Sequence, residues 1–118
     1  MNKILVEVSV GELLDKISIL EIKSEKIKDP EKLKFIIDES KILNKQLDLN
    51  VTLNEEIKKL YKELKKINLE LWNIEDEKRM CEKNLDFGKE FIRLSREVHF
   101  LNDKRSNIKL DINNKTGS

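Results

Sequence analysis

The sequence predicts an all-α protein, built as a long antiparallel helical hairpin plus two shorter helices, with a short extended arm at its N-terminus. Apolar residues recur at alternating steps of four and three through the second half of the chain, the repeat of a coiled-coil-like four-helix bundle. Charged residues make up 40% of the chain and hydrophobic residues 38%, with one Pro and three Gly, a composition typical of long helices. A length of 118 residues predicts a single domain over residues 1–118.

The N-terminal arm, residues 1–9, is predicted from Lys3–Val8, which is apolar and β-branched and follows no helix-start signal. A lone strand has no pairing partner within an otherwise helical chain. We therefore expect the arm to pack over the bundle, to pair with another copy of the protein, or to stay loose.

The first helix is predicted over residues 10–28. Ser9 and Glu12 have the spacing of a capping box, in which a hydroxyl and a carboxylate satisfy the first free amides of a helix. Asp29–Pro30 ends the helix, because the residue before a proline avoids helical backbone angles. The residues expected to face the bundle are Val10, Leu13, Ile17, Leu20 and Ile27.

The second helix is predicted over residues 30–48, with Asp29 as its N-cap and Pro30 at its first helical position. A short loop over residues 48–51 is expected to lead from this helix to the next. The expected buried stripe of the second helix consists of Leu33, Ile36, Ile37, Leu43 and Leu47.

The third helix, predicted over residues 53–84, has the strictest repeat in the chain. Thr52 and Glu55 form a second capping box at its start. Its apolar residues follow heptad spacing along one narrow stripe, which we call the seam, and Lys78 interrupts the seam once. The apolar seam residues are Leu53, Ile57, Leu60, Leu64, Ile67, Leu71, Ile74, Cys81 and Leu85.

The fourth helix, predicted over residues 87–113, has a seam in a different phase. Continuing the third helix's heptad would bury polar residues, so the register breaks within Asn84–Gly88 and predicts a turn, with Asp86 as an N-cap. The two long helices then form an antiparallel hairpin, and the polar tail, residues 114–118, is expected to fray. The fourth seam consists of Phe87, Phe91, Leu94, Val98, Leu101, Arg105, Ile108 and Ile112.

The charge balance argues against nucleic acid or a membrane as a partner. The chain has 24 basic and 23 acidic residues, a net charge of +1, so no global field attracts a polyanion. No apolar run approaches the roughly 20 residues that cross a membrane. The single cysteine, Cys81, excludes an intrachain disulfide and favours a cytoplasmic location. Glu21 and Glu25 lie four residues apart on one helix and could hold a metal, but a salt-bridged or solvated face is commoner, so we expect neither a metal nor a cofactor.

Polar residues beside the seams are the candidate site. Arg105 occupies a seam position, and a buried guanidinium needs an acceptor, for which Asn68, Glu70, Glu21 and Asp103 are candidates. One interpretation is that these groups fix the register of the bundle. The other is an inter-helix pocket that binds a small anionic ligand. The candidate ligand-binding residues are Glu21, Asn68, Trp72, Glu75, Arg79, Asn102 and Arg105.

Three sequence patterns are distinctive in this chain. GEL-x-DK…ILEIK lies in Val10–Lys23, LW-x-IED-x-x-R in Asn68–Arg79, and ND-x-R in Phe91–Arg105. In these patterns the chain resembles a family of short bacterial and viral helical proteins classed as a domain of unknown function. The resemblance implies a shared helical build and brings no activity, ligand or catalytic residue. The matching polar residues are Glu12, Asp15, Lys16, Glu21, Lys23, Asn68, Trp72, Glu75, Asp76, Arg79, Asn102, Asp103 and Arg105.

Two functions remain open from the sequence. The first is a non-enzymatic helical module that self-associates, as a dimer or larger homo-oligomer, or binds a protein partner, supported by unbroken seams and an unpaired arm. The second is a small all-helical enzyme or binder for an anionic metabolite, such as a phosphorylated compound, nucleotide or nucleotide-sugar, supported by polar residues where packing would prefer Leu. Neither hypothesis identifies a catalytic residue.

Overall fold

The structure, a computed structural model, describes residues 3–118 and confirms the predicted all-α fold with its long hairpin. Residues 3–9 lie in neither a helix nor a strand. Within the described range, none of the helices combines the length and the apolar character that crossing a membrane requires. The helices are α1 Val10–Lys26, α2 Pro30–Asn50, α3 Glu55–Lys83 and α4 Lys89–Thr116.

Helix α1 begins as predicted but ends two residues early. Ser9 Oγ accepts a hydrogen bond from the Glu12 amide at 3.1 Å, which is one half of the predicted capping box. The Glu12 carboxylate does not complete the box, because it binds Lys109 Nζ of α4 at 2.5 Å. Ile27 adopts extended angles, φ −87° and ψ 131°, which end the helix at Lys26.

Helix α2 begins at the predicted cap but continues into the predicted loop. Asp29 Oδ1 accepts a hydrogen bond from the Glu31 amide at 3.1 Å. The helix extends to Asn50, and Val51 then turns to extended angles. The N-cap of α3 is Asn54 and not Thr52: its Oδ1 accepts from the Ile57 amide at 2.9 Å, so the predicted second capping box is wrong.

A tight turn joins α3 and α4 into the predicted antiparallel hairpin and explains the phase break between their seams. Leu85 lies in this turn with φ 53° and is exposed, so its predicted place in the seam is wrong. Gly88 is the N-cap of α4, and Asp86 Oδ1 accepts a hydrogen bond from the Gly88 amide at 3.2 Å. Phe87 is half-exposed beside the turn and also lies outside the buried seam.

The C-terminal end of the chain is helical where a frayed tail was predicted. Helix α4 continues to Thr116, and Gly117 ends it in the left-handed region with φ 70°. The Ser118 amide donates to the Asn113 carbonyl oxygen at 2.9 Å. Ser118 Oγ accepts from the Val10 amide at 2.9 Å, which joins the end of α4 to the start of α1. The C-terminal residues are therefore held both by their own helix and by the start of α1, a long-range contact that composition does not reveal.

Helix α1 is the centre of the fold, because it packs against the other three helices, whereas α2 packs against α1 alone. At Gly11 the backbones of α1 and α4 come so close that an added Cβ would lie 2.5 Å from the Lys109 carbonyl oxygen. The core at this end of the bundle consists of Leu13, Leu14, Ile17, Leu47, Ile57, Leu64 and Ile112. A second core inside the hairpin consists of Ile74, Cys81, Leu94 and Leu101.

Helix α2 is less buried than its apolar pattern predicts. Of its predicted stripe, Ile36 and Leu47 are buried, Leu33 and Leu43 are half-buried, and Ile37 is exposed. The spacing of Ile37 predicts a buried side chain only if neighbouring helices cover a wide face of α2. Since α2 contacts one helix, only a narrow face is covered.

Candidate functional site

A buried carboxylate, Asp15 of α1, links three helices. Its side chain is 1% exposed. Arg105 of α4 binds both carboxylate oxygens, through Nε at 2.9 Å to Oδ1 and through Nη2 to Oδ2. Asn68 of α3 donates from Nδ2 to Asp15 Oδ1 at 2.9 Å. Lys109 Nζ lies 3.7 Å from Oδ2. A two-pronged contact with a guanidinium is the strongest ion-pair geometry available to a carboxylate.

The environment of Asp15 favours its ionised form. Burial acts to raise the pKa of this carboxyl, but the hydrogen bonds from Arg105 and Asn68 and the charges of Arg105 and Lys109 outweigh burial and lower the pKa. The same pairing raises the pKa of Arg105. Ser18 completes the network: its Oγ donates to the Asp15 carbonyl oxygen at 2.7 Å and accepts from Asn68 Nδ2 at 2.8 Å.

The carboxylate partner of Arg105 is therefore Asp15. None of the four acceptors suggested from the sequence forms a hydrogen bond with Arg105. Asn102 of the candidate site lies on the preceding turn of α4, and its Oδ1 accepts a hydrogen bond from Arg105 Nη1 at 3.4 Å. The signal that identifies Asp15 is present in α1. Gly11, Asp15, Ser18 and Ile22 are spaced by steps of 4, 3 and 4, a second buried stripe beside the apolar one.

Glu21 lies apart from this network. Its carboxylate accepts a hydrogen bond from Tyr61 Oη of α3 and lies 2.9 Å from Lys65 Nζ. Burial and the bond to Glu21 raise the pKa of Tyr61, and the bond to Glu21 raises the pKa of Lys65. Glu21 therefore takes part in an α1–α3 contact and is not brought together with the other candidate residues.

A cavity of about 210 Å³ lies between α1, α3 and α4, beside the Asp15 network. It gathers four residues of the predicted polar face of α3 with the predicted seam arginine of α4. The candidate residues that line it are Asn68, Trp72, Glu75, Arg79 and Arg105. Ile19 and Ile22 of α1 form its opposite wall, and Leu71 of α3 contributes a further apolar surface. Five of the seven candidate residues thus share one cavity, while Glu21 and Asn102 lie outside its lining.

The outward face of α2 is the second candidate surface. Phe35, Ile42 and Leu49 follow one another at seven-residue steps and are 76%, 53% and 70% exposed. Residues seven apart lie on the same side of a helix, so the three side chains form one apolar line. This line was missed in the sequence because the same helix contains the inward stripe that includes Ile36 and Leu47.

Within residues 3–118, no three His, Cys, Asp or Glu side chains lie close enough together to hold a metal ion. Cys81 is buried in the hairpin core, and burial raises the pKa of its thiol, which keeps the sulfur protonated. Within the described chain, every fully buried polar side-chain atom has a hydrogen-bond partner. The site's chemistry is therefore that of charge pairs, an indole ring and apolar walls.

A family model described as a family of unknown function (DUF6165) matches residues 4–118. The match covers all four helices and the Asp15 network. No curated protein and no solved structure matches the chain.

Proposed function

We propose that this chain, which belongs to the DUF6165 family of unknown function, is a non-enzymatic helical module that forms a homodimer. The observation that carries this proposal is the apolar line Phe35, Ile42 and Leu49 on the outward face of α2. An exposed line of large apolar side chains on one helix is the kind of surface that a partner helix covers. The occupant we propose is α2 of a second copy.

The spacing of the line suits an antiparallel pair of α2 helices about a twofold axis. Residues whose numbers sum to 84 then lie at the same level, so Ile42 meets Ile42 of the other copy and Phe35 meets Leu49. The two-helix contact extends over roughly 30 Å, since α2 has 21 residues and a helix rises about 1.5 Å per residue.

Charge complementarity supports the antiparallel direction. Glu39 and Lys45 also sum to 84, so each copy places Glu39 beside Lys45 of the other, twice across the axis. A parallel pair would instead place Glu39 beside Glu39 and Lys45 beside Lys45. Like charges facing each other oppose association, so the charge pattern favours the antiparallel dimer.

The arm adds a second reason to favour self-association. The backbone groups of residues 3–8 form no hydrogen bond with the described chain, and Ile4, Leu5 and Val6 are exposed. An apolar, β-branched segment with free backbone groups pairs readily with a like segment. Because the described chain contains no strand, the arm of another copy is the matching partner.

The test is the mass in solution. Light scattering at micromolar concentration is expected to give about twice the 14.0 kDa of one chain. Ile42→Glu buries two carboxylates at the centre of the proposed interface and is expected to return the mass to that of one chain. Leu110→Glu is the matched control, because Leu110 is 57% exposed on α4, close to the 53% of Ile42, and lies outside the interface. A monomeric wild-type chain would overturn the proposal.

A charge exchange tests the direction of the pair. Lys45→Glu is expected to weaken the dimer, because it places Glu39 of each copy beside a carboxylate. The double variant Glu39→Lys with Lys45→Glu restores opposite charges across the axis and is expected to restore the dimer. A double variant that dimerises no better than Lys45→Glu alone would contradict the antiparallel arrangement.

A further inference from the structure

The cavity between α1, α3 and α4 is independent of the proposed dimer surface, which lies on α2. Its walls are mostly apolar: Ile19 and Ile22 face it from α1, and Leu71 and the indole of Trp72 face it from α3. At about 210 Å³ it is larger than the roughly 150 Å³ apolar cavity that is known to hold a benzene molecule. A ring with a short polar chain therefore fits it.

The charges around the cavity do not cancel completely. Arg105 is paired with Asp15, and Arg79 Nη1 lies 3.4 Å from Asp76 Oδ1. Glu75 is the remaining charged residue of the lining, and it forms no ion pair with any residue of the described chain. Each arginine is thus balanced by its own carboxylate, and the cavity retains one negative charge, which disfavours an anion.

Besides the Glu75 carboxylate, the cavity has a second hydrogen-bond acceptor, the side-chain oxygen of Asn68. Asn68 is 6% exposed and lines the cavity, and both protons of its Nδ2 are used by Asp15 and Ser18. No residue within 3–118 donates to its Oδ1. Every fully buried polar side-chain atom in this range has a hydrogen-bond partner, so Asn68 Oδ1, which has none, must be accessible to solvent. Asn68 lines the cavity, and we therefore place its Oδ1 at the cavity wall.

We propose that this cavity binds a small organic cation, an ammonium or guanidinium group attached to an apolar body. The cation's N–H groups would donate to the Glu75 carboxylate and to Asn68 Oδ1. Its apolar body would pack against Ile19, Ile22 and Leu71. The indole of Trp72 suits this ligand in both respects, since a tryptophan face attracts cations as well as covering apolar groups.

The test uses Trp72 as its own reporter, because it is the chain's single tryptophan. Three probes share a phenylethyl body and differ in charge: 2-phenylethylammonium is cationic, 2-phenylethanol is neutral and 3-phenylpropionate is anionic. Titration of the wild-type chain with the cation is expected to give a saturable change in tryptophan fluorescence. The neutral probe is expected to bind at least tenfold more weakly, and the anion more weakly still.

Glu75→Gln removes the uncompensated charge and is expected to weaken binding of the cation about tenfold while keeping a melting temperature near that of the wild type. Glu77→Gln is the matched control, because Glu77 is exposed on the same helix and does not line the cavity, and it is expected to bind like the wild type. Equal binding of the cation and the anion, no saturable signal with the cation, or an unchanged affinity in Glu75→Gln would each overturn the proposal.

Discussion

Helices α1 and α2 are neighbours with similar apolar patterns and opposite environments. Eight of the 17 residues of α1 are buried, whereas two of the 21 residues of α2 are. Helix α1 packs against three helices, and its buried set includes Gly11, Asp15 and Ser18 in addition to large apolar residues. Helix α2 packs against α1 and exposes four large apolar side chains to solvent.

The difference shows what a central helix needs besides an apolar stripe. Small residues let other helices come close, as Gly11 does for α4. A polar group that several helices share fixes their relative positions, as Asp15 does through Arg105 and Asn68. Helix α2 has neither device on its outward face, and large exposed apolar residues there are more useful to an interface than to a core.

The largest expected effect comes from removing the partner of Asp15. Arg105→Met leaves a carboxylate that is 1% exposed without its two-pronged partner, and breaking a buried pair in this way costs about 3–5 kcal/mol of unfolding free energy. Lys109 lies 3.7 Å from Asp15 and retains part of the charge compensation, so we expect a loss near the lower end of that range. Urea denaturation at one protein concentration measures it.

Arg93→Met is the control for this prediction, because Arg93 is an exposed arginine of α4 that pairs with Glu90 and Glu97. Solvent screens exposed ion pairs, and the ordering of two long side chains offsets much of their attraction, so this variant is expected to stay close to the wild type in stability. If the two arginine variants lost equal stability, the central role assigned to Asp15 would be wrong.

The next-largest expected effect is on stability, and it compares one substitution in α1 with one in α2. Leu14→Ala in α1 removes a side chain that is 1% exposed and is expected to lower the unfolding free energy by about 2–5 kcal/mol. Ile42→Ala in α2 removes an exposed side chain, and at a concentration where the chain is monomeric it is expected to change stability by less than about 0.5 kcal/mol. Similar losses for the two variants would mean that α2 is covered within one chain.

The smallest effect is a pH dependence that belongs to Asp15. Since folding lowers its pKa, its contribution is fully present above the unfolded pKa of about 3.9 and is lost as pH falls through the folded pKa. The stability difference between the wild type and Asp15→Asn is therefore expected to shrink as the pH is lowered below about 4. Asp38→Asn, at an exposed position of α2, is the matched control for the substitution itself. A difference for Asp15→Asn that grew with acid would contradict the cited direction.

Local chemistry determined the parts of the fold that the sequence predicts by itself. Ser9 and Asp29 cap α1 and α2 as predicted, because a cap depends on a few neighbouring residues. The phase break near Asp86, together with the nearby glycine Gly88, identified the hairpin, because the two seams cannot form one straight stripe on a single helix. The spacing of Asn68, Trp72, Glu75 and Arg79 also placed these side chains on one face, and they line one cavity.

Long-range packing decided the rest. Asp15 and Arg105 are 90 residues apart, and no periodicity within α4 indicates which carboxylate of another helix lies opposite an arginine. Helix α2 has two apolar stripes, one with Ile36 and one with Ile42, and hydrophobic spacing alone does not distinguish the covered stripe from the exposed one. The position of α1 between its neighbours selects the stripe with Ile36, because burial depends on which surfaces surround a helix and not on its own sequence.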